Sequence, residues 1–257
     1  MREFEYVVPA TLKEAIGLMA ENGNRARAFA GGTDILVQLR AHRFEVDRLV
    51  DIKRVPELNQ LSCSQARGLT LGAAVPCYRI YEDPAVARLY PALVDAASII
   101  GSIQIQSRAT VGGNLCNAAP SGDSIPALIV LGATCNIAGP GGRRSVPVEE
   151  FCTAPGRNAL QEGELLVNLH LPPPRSGSGA HYLRFTPRNE MDIAIVGVGA
   201  SVVLDRARQR ILSARIALGA VAPTPVFARE ASALLSGREA TEASIEEAAQ
   251  AAMAAAR

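Results

Sequence analysis

Apolar residues fall at helical spacing over Leu12, Ala15, Ile16 and Met19. Thr11 and Glu14 stand in the S/T-x-x-E capping arrangement, and Gly23 lies where a C-terminal cap belongs, so the pattern predicts a first helix between them. A short strand follows over 25–30, then a turn at 31–34, a helix over 35–40 and a strand over 48–52. These elements make a small α/β unit. From Leu58 the pattern changes to a hairpin turning near Ala66-Arg67-Gly68, then helices over Tyr78–Leu89 and Pro91–Ile100. The alternation from Ile103 predicts a strand leading to a second Gly-Gly turn, a loop, and a helix beginning near Ser124. Asp123 or Ser124 is suited to cap that helix, with Pro126 tolerated in its first turn.

Residues 135–148 read as a hairpin with a glycine-rich tip, and the Pro, Gly and Ser of 172–180 read as a linker. Beyond it, two apolar alternating runs joined at Arg206–Gln209 predict a strand pair. Helices over Val226–Leu235 and Ser244–Ala256 complete the chain, the last opened by a Ser244-x-x-Glu247 capping box. The expected division is residues 1–175, in subdomains of about 1–55 and 56–175, followed by an α+β domain over 176–257.

Composition narrows the function classes. Hydrophobic residues are 48% of the 257 and charged residues 20%, as in a globular chain with room for two or three modest domains. With 26 basic and 25 acidic side chains the formal net charge is +1, and no basic stripe points to nucleic acid. The apolar runs are too short to span a bilayer and the N-terminus has no signal-peptide core, so the expected location is the cytoplasm. Five cysteines at 63, 77, 116, 135 and 152 include no C-x-x-C pair, and none of the three histidines stands beside a cysteine or four residues from another histidine. Free thiols are expected, with no disulfide framework, zinc site or iron–sulfur cluster on this chain.

The chemistry concentrates at two Gly-Gly pairs, Gly31-Gly32 and Gly112-Gly113. Without a Cβ the backbone can take positive φ and approach a ligand closely. Successive N–H groups then form an anion nest, each bond to a charged oxygen being worth roughly 1.5–3 kcal/mol. Two such loops on one pyrophosphate would bind tightly; either alone could equally be a tight turn. Other nucleotide and hydrolase motifs are absent: there is no G-x-x-x-x-G-K-[ST], G-x-G-x-x-G or G-x-S-x-G. Gly197-Val198-Gly199 lies within an apolar strand and reads as close strand packing.

The wording of FAGGTDILVQLR (29–40) and ATVGGNLCNAAPSGDSIPAL (109–128) resembles the FAD-binding medium subunit of the molybdenum hydroxylases. That group holds the xanthine dehydrogenase, aerobic carbon monoxide dehydrogenase and aromatic or N-heterocycle dehydrogenase families. LVDIKRVPEL (49–58), RNEMDIAIVGVGA (188–200) and ARIALGAVAPTP (214–225) extend the likeness. It implies a vanillyl-alcohol-oxidase-type (PCMH-type) FAD-binding domain in two parts, then an α+β domain with an antiparallel sheet. It also implies one non-covalent FAD. The first FAD loop would be Ala30, Gly31, Gly32, Thr33 and Asp34, and the second Thr110, Val111, Gly112, Gly113 and Asn114. Asp123 would serve the nucleotide side, with a helix cap as its plainer role. Arg184 and Asp192 would lie near the flavin, or form a surface salt bridge. Ile103 and Ile193 would flank the isoalloxazine, or simply pack in a core.

In the carbon monoxide dehydrogenase branch a flavin-stacking tyrosine occupies the position of Ile193, which makes that substrate less expected. The chain stops at Arg257, short of the family's usual final helix, and has no cysteine-bearing insertion. The resemblance implies an oxidoreductase subunit without catalytic acid, base or metal of its own. Its partners would be a molybdopterin-containing large subunit and a 2Fe–2S small subunit, in a dimer of heterotrimers. Electrons from the clusters would pass through FAD to NAD⁺, a quinone or another acceptor. A stand-alone flavin oxidoreductase would instead require polar substrate groups near the flavin. A non-catalytic assembly module would have no reason to keep both glycine pairs.

Overall fold

The computed structural model describes residues 2–188 and 191–256. Asn189 and Glu190, within the 188–200 motif, and Arg257 at the chain end lie outside the described residues. The first unit is a parallel sheet of β1 (Glu5–Val7), β2 (Ala26–Phe29) and β3 (Arg48–Asp51), with β3 in the centre. The helix α1 (Leu12–Glu21) begins at Thr11, whose hydroxyl accepts the Glu14 N–H, and it buries Leu12, Ala15 and Met19. The helix α2 (Ile35–Arg40) follows the 31–34 turn.

The second unit is an antiparallel sheet built from β4 (Leu61–Ser64) and β5 (Gly68–Gly72) at its start. Helices then cover it: α3 (Cys77–Glu82), α4 (Pro84–Leu89), α5 (Pro91–Ala97), α6 (Ile103–Gln106), α7 (Val111–Asn117) and α8 (Ser124–Val130). Then come β6 (Thr134–Gly139), β7 (Gly142–Pro147), the small pair β8 (Cys152–Ala154) and β9 (Arg157–Asn158), and β10 (Leu165–Leu171). The sheet order is β4-β5-β10-β6-β7. Its core joins Leu69, Leu71, Cys135 and Leu169 of the strands to Leu93, Leu115, Leu128 and Ile129 of the helices and to Tyr90 between α4 and α5.

Three expectations here need correction. The single helix over 78–89 is two, because Pro84 drives Asp83 out of the helical region (ψ 114°) and the Asp83 carboxylate caps the second. The 103–106 alternation is a helical turn, not a strand. The alternation misleads because burial is inverted: Ile103 is exposed, while Gln106 is buried, donating to Ser98 O and accepting from Tyr81. Gly112-Gly113 is therefore no turn after a strand; it lies in the first turn of α7.

The third unit is an antiparallel sheet of β11 (Ser178–Phe185), β12 (Val196–Leu204), β13 (Ile211–Gly219) and β14 (Val226–Phe227), with the expected β12–β13 hairpin at its centre. β11 begins at Ser178, inside the expected linker. α9 (Arg229–Leu235) and α10 (Glu242–Ala254) pack on one face. Val226 and Phe227 are strand rather than helix, since they satisfy the otherwise open edge of β13. α10 is capped one turn earlier than Ser244-x-x-Glu247 suggests. Thr241 and Ser244 exchange hydroxyl-to-backbone bonds, so Ser244 is the third helical residue rather than the cap.

Candidate functional site

The first glycine loop leaves the C-terminal end of β2. Only Gly32 of the four pair glycines has positive φ, at 80°, so a left-handed conformation is needed at one position and not at both pairs. A Cβ there would also meet the Phe29 ring at 2.6 Å. Gly31 is constrained differently: a Cβ would overlap the Arg108 carbonyl oxygen and lie 3.0 Å from the Ala109 Cα. That backbone contact sets the first loop directly against the approach to the second. Gln38 Nε2, on α2, donates to Asn117 Oδ1, on α7, at 2.8 Å and ties the two again. Among the described residues, the backbone N–H groups of Gly31, Gly32, Thr33 and Asp34 find no acceptor. Asp34 stands at the start of α2 without a capping bond.

The second loop is preformed. Thr110 caps α7, its hydroxyl accepting the Gly113 N–H at 2.8 Å, while Asn114 N–H bonds to Thr110 O at 2.9 Å. Val111 and Gly112 are buried. Gly112 is required by packing, because a Cβ would approach Ala73 O at 2.5 Å. Gly113 is less crowded: among the described residues outside its own helix backbone, its Cβ would meet within 4 Å the Thr110 hydroxyl alone, at 2.9 Å. Asn114 Oδ1 accepts the Ser124 hydroxyl at 2.7 Å, joining α7 to α8.

Next to Ser124, Asp123 caps nothing with its side chain. Its carboxylate instead reaches the third unit, where Tyr182 OH donates to Oδ1 and Arg184 Nη1 to Oδ2, both at 2.9 Å. The Arg184 and Asp123 side chains are only 10% and 12% exposed. Burial pushes the Asp123 carboxyl above its usual range despite these two donors. Burial, and then the Asp123 charge, push the Tyr182 phenol up as well. Arg184 and Asp192 do not form the surface pair considered for them. Asp192 accepts from Arg188 through both the backbone and the guanidinium. That arginine lowers the Asp192 carboxyl.

Ile103 and Ile193 are 71% and 72% exposed, which rules out ordinary core packing. The segments that carry them meet where Met191 N–H bonds to Gly101 O at 3.3 Å. The loops at 30–34 and 110–114 therefore adjoin. Asp123 and Arg184 are joined, and Ile103 and Ile193 stand on linked segments.

Tyr182 had no sequence signal beyond strand alternation. Its space is made by Gly197, where a Cβ would overlap the phenol oxygen. Gly199 likewise lets Pro126 O of α8 approach, to 2.7 Å from its absent Cβ. The packing read from Gly197-Val198-Gly199 is thus packing of the third unit's sheet on α8. Lys53 and Asp51, within the 49–58 motif, also reach the site from behind the first loop. All five cysteines are free, Cys77 and Cys135 buried and the others half-buried. Among the described residues no helix is long and apolar enough to cross a membrane, and no cluster of His, Cys, Asp and Glu is arranged to hold a metal.

Residues 2–174 match the family model of the FAD binding domain in molybdopterin dehydrogenase. Residues 181–257 match that of the CO dehydrogenase flavoprotein C-terminal domain. The chain is 39% identical over 223 residues to the xanthine dehydrogenase FAD-binding subunit of Escherichia coli O157:H7, covering 86% of this chain and 75% of that one. It is 30% identical over 251 residues to the carbon monoxide dehydrogenase medium chain of Hydrogenophaga pseudoflava, covering 98% and 86%. The solved carbon monoxide dehydrogenase of that organism superimposes with a TM-score of 0.94 at 30% identity, covering 100% of this chain and 88% of the other. Quinoline 2-oxidoreductase from Pseudomonas putida 86 gives 0.88 at 32%, covering 98% and 86%.

Proposed function

The chain belongs to the FAD-binding medium subunits of the xanthine dehydrogenase and carbon monoxide dehydrogenase family, and on that footing we propose that it takes electrons from 2Fe–2S clusters on a partner subunit and passes them to an acceptor such as NAD⁺ or a quinone. The fit of the cofactor to these residues rests on one observation above the others. Among the described residues, four successive N–H donors at 31–34 lack acceptors, in a loop packed against the segment that leads into α7. An FAD diphosphate supplies the acceptors such a loop requires.

In this reading Ala30, Gly31, Gly32, Thr33 and Asp34 hold one side of the diphosphate. Thr110, Val111, Gly112, Gly113 and Asn114 shape the other. Asp123, held by Tyr182 and Arg184, faces the nucleotide half. Ile103 and Ile193 provide apolar surface for the isoalloxazine, with Arg184 and Asp192 near it. The bound flavin supplies the redox chemistry, and the protein binds it, orients it and tunes its surroundings. No acid or base on this chain is required for that role.

The same reading divides the chain near residue 175, where the first family match ends at 174. It places a molybdopterin-containing large subunit and a 2Fe–2S small subunit beside this chain, in a cytoplasmic dimer of heterotrimers. The loop assignment is tested by Gly113→Val. The purified variant is expected to lose its yellow colour while its far-ultraviolet circular dichroism stays that of the unaltered chain; full flavin retention would sink the assignment. A pull-down from the native host is expected to recover a molybdenum-containing chain and an iron–sulfur chain. Recovery of neither would leave a stand-alone flavin oxidoreductase.

A further inference from the structure

We propose that Lys53 is a positioning residue for the cofactor loop: it holds the Ala30 carbonyl from behind and so aims the Gly31 N–H at the cofactor's diphosphate. The inference rests on the FAD assignment of that loop. The ammonium of Lys53 lies 2.7 Å from Asp51 Oδ1 and 3.2 Å from Ala30 O. It also stands 4.4 Å from the centroid of the Phe29 ring. A surface lysine ordinarily keeps its head in water; this one is drawn inward by a carboxylate, a carbonyl and an aromatic ring.

The geometry of the peptide supplies the rest. In a trans peptide the C=O of one residue and the N–H of the next point in opposite directions in one plane. Fixing Ala30 O on the lysine therefore fixes the Gly31 N–H on the other side. That N–H is the first of the four without an acceptor among the described residues.

The anchor is itself held. Asp51 is buried at the end of β3, where it accepts from Tyr6 OH and from Lys53 N–H as well as from the ammonium. Tyr6 meets Phe29 edge-on, 5.9 Å between centroids, and the absent Cβ of Gly32 faces the same ring. Because Asp51 neutralises the lysine at close range, its service to the loop is directional rather than a long-range attraction for phosphate. This gives a role to Asp51 and Lys53 of the LVDIKRVPEL segment, which the proposed flavin contacts leave unused.

The test is FAD titration of the purified chain, read by flavin absorbance, alongside thermal unfolding of the flavin-free form. Lys53→Met strands a buried carboxylate, so it is paired with Lys53→Met combined with Asp51→Asn, which removes the stranded charge. Both are expected to weaken FAD binding about tenfold or more, the scale of one lost hydrogen bond to a charged oxygen. The double variant is expected to keep the unfolding midpoint of the unaltered flavin-free chain. Lys53→Arg, which retains a cationic donor, is expected to restore affinity to within about threefold. A double variant that folds and binds FAD as tightly as the unaltered chain overturns the role of Lys53. An unaltered chain that binds no FAD overturns the reading beneath it.

Discussion

The two glycine loops are spelled alike and built differently. The loop at 30–34 is a true turn, with one left-handed residue and a row of N–H groups that no described residue satisfies. It is held at its edges by Arg108 O, Phe29 and Lys53. The loop at 110–114 is the first turn of a helix, with Thr110 as its cap and Gly112 pressed on Ala73. One loop keeps its donors unspent; the other spends the Gly113 donor on its own cap. The lesson is that a Gly-Gly pair marks a place where backbone comes close to something, and the something differs: the Arg108 carbonyl and the Phe29 ring in one case, a neighbouring strand end in the other.

The contrast is broken most severely at Gly112. Gly112→Val puts a branched side chain into the Ala73 backbone and is expected to lower stability by about 3 kcal/mol with or without flavin, measured by denaturant unfolding. Equal stability would mean that α7 can slide away from Ala73, and the second loop would no longer count as rigid. Gly32→Ala is expected to cost about 2 kcal/mol, from the left-handed backbone and the crowding of Phe29. The same unfolding measurement reads it, and no loss would mean that the turn re-forms with ordinary φ. Thr110→Ala removes a capping hydroxyl and is expected to cost about 1 kcal/mol. Thr110→Ser should recover most of that.

The smallest effect separates the loops by pH. Burial raises the Asp51 carboxyl, but the bonds from Lys53 and Tyr6 outweigh it and leave the group below its usual range. The folded chain thus holds this carboxylate more firmly ionised than the unfolded chain does. Its contribution is present above the usual carboxylate range and lost as pH falls through and below it. Acid is therefore expected to loosen the first loop, read as faster proteolysis near residues 30–34 in the flavin-free chain. Asp51→Asn should flatten that dependence. The helix turn at 110–114 contains no titrating group and should respond only when the whole chain unfolds.

Legibility followed the range of the interactions. Thr11 and Glu14 are three residues apart, so their cap was readable, and the β12–β13 hairpin announced itself by alternation around a short polar connection. Gln106 was not readable, because a buried polar side chain satisfied by Ser98 and Tyr81 inverts the pattern that alternation assumes. The helix break at Asp83-Pro84 had a local signal, the proline, that periodicity overrode. In the site, both glycine motifs were legible because their constraint is local backbone. Tyr182 lies 59 residues from Asp123, and Lys53 is 23 from Ala30. Nothing near either in the chain announces the partner, so only folding could bring them into view.

The clasp of Tyr182 and Arg184 on Asp123 has a mechanical consequence. To swing the third unit's sheet away from α8 would unfasten a phenol and a guanidinium from one carboxylate and leave unlike charges stranded in a narrow seam. The sheet is thus latched at the start of α8 by a buried ion pair. By contrast, the segments bearing Ile103 and Ile193 are joined by a backbone bond from Met191 N–H to Gly101 O, a neutral and lighter fastening.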